Sequence, residues 1–206
     1  MPSYVTFSTA IGRLAIAFDG DEGLLLGVSL PSQTDASTVR HLATATERLG
    51  ARGPLSLVPL EAAPPAVRDA AARLSAHLSG DKSAGAELSA IALDERRLSP
   101  FRRRVYHEAR RIPPGELASY AALAERAGSP KAARAVGRAM ATNPWPLVVP
   151  CHRVVSAEGD LHGFSAPGGT RTKATLLEIE GYKPPSRPPR AGGRAGQGSL
   201  PFDSSD

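Results

Sequence analysis

The sequence predicts an α/β N-terminal domain with a small antiparallel sheet over residues 1–93, followed by a mainly α C-terminal domain over residues 98–182 that carries a winged helix-turn-helix-like motif. Two observations point to this division. Short apolar runs punctuated by Asp/Gly turns fill the first thirty residues. Beyond Leu98, Ser-Pro, Gly-Ser-Pro and Asn-Pro punctuation cuts the chain into short helices. From Lys183 apolar periodicity is lost, which predicts a disordered Pro/Gly/Arg-rich tail over 183–206.

In the first part, Gly12 separates two strand-like runs, and Leu14-Ala15-Ile16-Ala17-Phe18 ends on the turn signal Asp19-Gly20. Leu24 to Leu30 reads as the next strand, and short turns between these runs predict antiparallel pairing. Thr38 to Leu49 has helical spacing, and Leu55 to Val58 reads as a further strand. Pro65 opens a stronger helix through Val67, Ala70, Ala71, Leu74 and Leu78, which Gly80 stops. His41 and His77 lie on these helices and read as ordinary surface or boundary residues.

In the second part, Ser99 caps a helix with Pro100 at its first position, and Phe101, Val105 and Ala109 share a face. Ile112-Pro113-Pro114-Gly115 breaks it. Ser119 caps a second helix, Tyr120 to Ala127, closed by Gly128. Ser129-Pro130 starts a third, Lys131 to about Thr142, stopped by Asn143-Pro144. Two short helices across a Gly-Ser-Pro turn form a helix-turn-helix pattern. Ala132, Ala135, Val136, Ala139 and Met140 make the buried stripe of the third helix, while Lys131, Arg134 and Arg138 project from the other side. That basic face reads either as a DNA-facing surface or as an ordinary solvated one. Thr170 begins a final helix on which Lys173, Leu176, Leu177 and Glu180 share one face, so Glu180 is carried inward and needs a partner.

The formal charge of +5 suits an anionic partner such as nucleic acid without requiring one. A single cysteine excludes an internal disulfide and any multi-cysteine zinc site. No apolar run approaches a membrane span and no signal peptide is evident, so a cytoplasmic protein is expected.

That one cysteine lies in Leu147-Val148-Val149-Pro150-Cys151-His152-Arg153-Val154-Val155, a soft nucleophile beside a base on a segment apolar enough to be pinned in a core. A small buried hydrophobe is the alternative reading of Cys151. His152 is the natural partner for the inward Glu180.

Taken together, Pro150-Cys151-His152-Arg153-Val154, Ser119-Tyr120, Ala132 to Gly137, Asn143-Pro144, Gly163-Phe164-Ser165, and Leu176-Leu177 with Glu180-Gly181 resemble the O6-alkylguanine-DNA alkyltransferase (methylated-DNA–protein-cysteine methyltransferase) family. The motifs occur in that family's order, and the resemblance covers about Pro100 to Gly181. It implies a cofactor-free repair protein that takes an alkyl group from O6-alkylguanine in double-stranded DNA irreversibly onto Cys151, with O4-alkylthymine as a further candidate substrate. In the implied roles, Cys151 is the nucleophile, His152 takes its proton through a water, and Glu180 holds the imidazole. Asn143 fixes the turn before the cysteine segment. Tyr120 helps rotate the nucleotide out, Arg134 fills the vacated space, and the carbonyls of Cys151 and Val154 read the guanine amino group. The Ser165 N–H meets O6, and Lys173 orients the Ser165 loop. Phe164 stands where tyrosine is common, so stacking is kept without a hydroxyl. Ala141 stands where some members have a further basic residue.

A non-enzymatic sensor of alkylated DNA, or a DNA-binding regulator, is the alternative; related sensors have tryptophan at the cysteine position. A cysteine hydrolase is a third reading without a recognisable motif. Gln197-Gly198-Ser199-Leu200-Pro201-Phe202 resembles peptides that dock on bacterial sliding clamps, against plain disorder as the alternative. A monomer is expected, because no oligomerisation seam is evident.

Overall fold

The computed structural model describes residues 2–20, 23–51, 53–157, 159, 161 and 163–182. The tail over 183–206, with its Gln197–Phe202 peptide, lies outside these residues. No helix among the described residues is long and apolar enough to cross a membrane.

Strands β1 (Ser3–Thr9), β2 (Gly12–Asp19) and β3 (Leu24–Ser29) form an antiparallel meander. A two-residue strand, β4 (Ser56–Leu57), joins the free edge of β1 in parallel, so the sheet is mixed, in the order β3-β2-β1-β4. The expected small antiparallel sheet is β1–β3, and β4 adds one short parallel strand at its edge. The helix between β3 and β4 carries the chain across the sheet, which allows the parallel return.

Strand β2 is buried on both faces, and its sequence shows how. Leu14, Ile16 and Phe18 point to one side, where helix α2 (Pro65–Leu78) supplies Val67, Ala70, Leu74 and Leu78. Ala15 and Ala17 point to the other, where helix α1 (Asp35–Arg48) covers them with Leu42. Small residues on that face let α1 approach closely. Helix α1 starts earlier than its apolar spacing predicts, because Thr34 and Ser37 form a reciprocal capping box. A short helix, α3 (Lys82–Glu87), was not anticipated; Asp81 caps it by accepting from Ser83 and Ala84 N–H. Its six residues are too few to show a period.

The remaining elements are α4 (Pro100–Arg110), β5 (Ala118–Ser119), α5 (Tyr120–Arg126), α6 (Ala133–Ala141), β6 (Val154–Val155) and α7 (Thr170–Ile179). Helix α6 begins at Ala133 rather than Lys131, and its N-cap residue, Ala132, makes no side-chain cap. Its buried stripe is Val136, Ala139 and Met140, and Lys131, Arg134 and Arg138 are exposed as expected. Strands β5 and β6 pair in parallel, Ala118 with Val154 and Ser119 with Val155. That pairing sets Tyr120 beside the exit of the cysteine segment.

One apolar cluster runs from Val5 in the sheet to Leu176 in α7. Val28 N–H donates to the Pro144 carbonyl at 2.8 Å, and buried Trp145 lies edge-on to Tyr106 with ring centroids 6.0 Å apart. The sheet is thereby tied to the segment that leads into Cys151.

Candidate active site

Asn143, just past the end of α6, clamps the turn that follows. Its Oδ1 accepts from Trp145 N–H at 3.0 Å and its Nδ2 donates to the Val149 carbonyl at 2.8 Å. Between these anchors Leu147 is held at φ 75°, a left-handed conformation that strains a residue with a Cβ, and its side chain is buried. Asn143 thereby holds both ends of this turn.

The turn delivers Cys151 to the start of a 3-10 turn, Cys151–Arg153. Cys151 is 8% exposed and opens on a cavity of about 190 Å³. Met140, Asn143, Pro146 and Ser165 line it, together with Ser29 of β3 and Arg48 of α1. Burial pushes the thiol pKa up, against the Asn143 hydrogen bond and the Lys173 ammonium, which pull it down. Cys151 therefore rests as a thiol and needs a base.

His152 supplies one. It is fully buried, and burial lowers its pKa against the pull of Glu180, so the imidazole is neutral. His152 Nε2 lies 2.8 Å from Glu180 Oε1. A carboxylate only accepts, so the proton is assigned to Nε2 and the lone pair to Nδ1. Nδ1 has no hydrogen-bond partner among the described residues. It is the atom left to receive a proton.

Glu180 caps the C-terminal end of α7, and its side chain is fully buried. Burial pushes its pKa up, but hydrogen bonds from His152 and Arg153, with the His77 ring close by, outweigh this and hold it far below the usual carboxylate range. Arg153 forks onto it, with Nε 3.1 and 3.0 Å from the two oxygens and Nη2 2.7 Å from Oε1. Arg153 Nη1 also donates to the Ile112 carbonyl at 2.5 Å. The Gly115 N–H reaches Oε2 at 3.3 Å. Gly115 sits at φ 80°, where a Cβ would stand 3.0 Å from the Glu180 carbonyl oxygen, so only glycine fits without strain.

Arg153 was missed as a site residue, although one signal existed: a charge inside an apolar run must be paired if the run is buried. His77 is a correction. It is 2% exposed rather than a surface or boundary residue, and its Nε2 lies 3.2 Å from Glu180 Oε1. The face that carries Leu74 and Leu78 inward also carries His77.

Around this buried centre stand the other expected residues. Tyr120 is half-buried at the start of α5, and burial together with nearby Cys151 pushes its hydroxyl pKa up, keeping it a donor. Lys173 is 1% exposed and donates to the Val154 carbonyl at 2.6 Å. Its expected hold on the Ser165 loop is corrected to a hold on the cysteine strand, because the ammonium, buried on the inner face of α7, reaches β6. The Ser165 loop is tied by its own hydroxyl, which donates to the Ala141 carbonyl at 2.7 Å. Phe164 is partly buried and packs on the core, and Arg134 is exposed on α6.

A family model described as "6-O-methylguanine DNA methyltransferase, DNA binding domain" matches residues 100–182. Methylated-DNA--protein-cysteine methyltransferases of Mycobacterium leprae and Shigella flexneri are each 48% identical to the chain, over 83 and 84 residues. The matches cover 40% and 41% of this chain and 49% and 48% of those relatives. The chain thus spans about half the length of the curated relatives it matches. Solved structures match over nearly the whole fold. The Mycobacterium tuberculosis O6-methylguanine methyltransferase is 31% identical with a TM-score of 0.63, covering 90% of this chain and 96% of that one. The Mycobacterium tuberculosis OGT solved in complex with DNA is 32% identical with a TM-score of 0.64, covering 86% and 92%.

Proposed function

The chain belongs to the O6-methylguanine DNA methyltransferase family, and from that premise we propose that it repairs DNA by direct reversal, moving an alkyl group from guanine O6 to Cys151 once and irreversibly. The observation that carries this reading is a cavity-facing cysteine followed directly by a buried imidazole that a buried carboxylate holds at 2.8 Å.

The chemistry follows from the protonation states. His152 Nδ1 takes the Cys151 proton through a water, and Glu180 stabilises the imidazolium that forms. Sγ then attacks the alkyl carbon in line with its bond to O6. The S–C bond forms as the C–O6 bond breaks, and guanine leaves with the electron pair and takes a proton from water, while the imidazolium returns its proton to solvent. The Tyr120 hydroxyl donates a hydrogen bond to the leaving base. The product is a thioether, which no group in the site can reverse, so each chain acts once.

The lesion is unreachable inside a stacked duplex, so the nucleotide must be extruded into the cavity. Lys131, just before α6, and Arg138 on its outer face engage the phosphates, while Arg134 occupies the space the base leaves. Carbonyls of Cys151 and Val154 read the guanine amino group, the Ser165 N–H meets O6, and Phe164 supplies stacking. Lys173, by holding the Val154 carbonyl, fixes one of those acceptors. The same reading extends to O4-alkylthymine as a candidate substrate, a cytoplasmic monomer, and a sliding-clamp contact through Gln197–Phe202, which lies outside the described residues.

Intact mass after incubation with an O6-methylguanine duplex tests the proposal. One methyl per chain, on Cys151, is expected. No adduct despite tight binding of the lesion identifies a sensor or regulator instead, and repeated turnover identifies a hydrolase.

A further inference from the structure

His77 belongs to α2, in the N-terminal part of the chain and well before the cysteine segment, yet its imidazole reaches the carboxylate of the relay. Glu180 Oε1 is the convergence point of three side chains: His152 Nε2 at 2.8 Å, Arg153 Nη2 at 2.7 Å and His77 Nε2 at 3.2 Å. The His77 approach lies off the axis of a straight hydrogen bond. Because Oε1 only accepts, Nε2 is the nitrogen of His77 assigned its proton. The opposite edge of the ring lies against α3. A Cβ on Gly85 would stand 2.6 Å from His77 Nδ1 and 3.0 Å from Cε1. Gly85 is thus the space that the imidazole uses, in a helix where alanine would otherwise be the more stable residue.

We propose that His77 is a positioning residue of the relay, through which α2 and α3 hold Glu180 Oε1 toward His152 and set how readily His152 takes the thiol proton. This rests on the transferase reading above. The charged and titratable groups that face His77 are Glu180 at the end of α7, His152 and Arg153 in the cysteine turn, and Asp81 at the cap of α3. Arg153 already balances Glu180, so a second imidazole on Oε1 draws charge density from the oxygen that His152 uses and opposes a positive charge on His152. Removing His77 leaves Oε1 more basic toward His152. The neutral base is then protonated at higher pH.

The test measures methyl uptake from an O6-methylguanine duplex between pH 5 and 9, with thermal unfolding alongside, for the full chain and for His77→Leu, His77→Gln and Gly85→Ala. His77→Leu is expected to move the acidic limb of the pH–rate profile upward by at least about 0.5 pH unit. His77→Gln, which can present an amide N–H to Oε1, should return the limb most of the way. Gly85→Ala, whose Cβ would meet both the ring and Pro114, should also move the limb, and should move it less in a His77→Leu background. An unmoved limb in both His77→Leu and Gly85→Ala, with only a lower Tm, would make His77 a packing residue and overturn the inference. If the unaltered protein takes up no methyl, the transferase reading fails by itself. The inference is then decided by NMR titration of His152, which His77→Leu must raise; an unchanged titration overturns it.

Discussion

Trp145 Nε1 donates to the Leu25 carbonyl at 2.8 Å across 120 residues of sequence. The indole is fully buried, two residues beyond the asparagine that clamps the cysteine turn, and the carbonyl belongs to β3. The sheet thus supports the segment that carries the nucleophile. Trp145→Phe keeps most of the packing but removes the donor. Leu25 O retains a second partner, the Asp94 N–H at 2.9 Å, so losing the indole hydrogen bond should cost about 0.5–1.5 kcal/mol. Urea unfolding measures it, and an unchanged midpoint would show that the indole hydrogen bond contributes nothing.

Glu180→Gln leaves Arg153 buried without a counter-charge. Breaking a buried pair from one side typically costs about 3–5 kcal/mol. Much of that loss should be recovered when Arg153→Met is combined with Glu180→Gln, because both charges are then absent. Denaturant unfolding of the two single variants and the double variant gives the coupling, and strict additivity would argue against the pair.

Acid should destabilise the protein. His152 and Glu180 both have folded-state pKa values below their ordinary ones. The unfolded chain therefore binds more protons, and stability falls as pH falls. For His152 the loss starts near an unfolded imidazole pKa of ~6.5, and for Glu180 near ~4.3. The Tm is expected to decline below about pH 6.5 and more steeply near pH 4. A Tm that stays flat from pH 7 to pH 4 would contradict the assigned protonation states.

Cys151→Ser should abolish methyl uptake while DNA binding persists, since binding rests on α6 and the cavity. Arg134→Ala should slow repair of a duplex more than reaction with free O6-benzylguanine, because only the duplex needs a base extruded. Gel-shift affinities and the two uptake rates check these outcomes. Equal losses on both substrates would remove the intercalating role.

The sequence made the inward face of α7 readable, because Lys173, Leu176, Leu177 and Glu180 recur at helical spacing and all four are buried. The same rule applied to α2 would have caught His77 between Leu74 and Leu78, but a histidine does not mark a face as a leucine does. Lys173 shows the limit of periodicity. Its face was legible, whereas its acceptor, the Val154 carbonyl, depends on where β6 lies. Helix α3 is hard to read because six residues with a central glycine carry no period, and that glycine makes room for the His77 ring and for Pro114, which only the packed structure brings there.

What the amino-acid order determined alone was local: the strand runs of the sheet, the helix stops, the apolar bed of Cys151, and the inward course of Glu180. These follow from backbone preference and apolar spacing, which act over a few residues. Only the tertiary structure decided that Arg153 and His77 meet Glu180, that Trp145 reaches Leu25, and that Arg48 borders the cysteine cavity. The reason is that a buried charge must find its donors wherever the packed elements bring them, and distance along the chain says nothing about that.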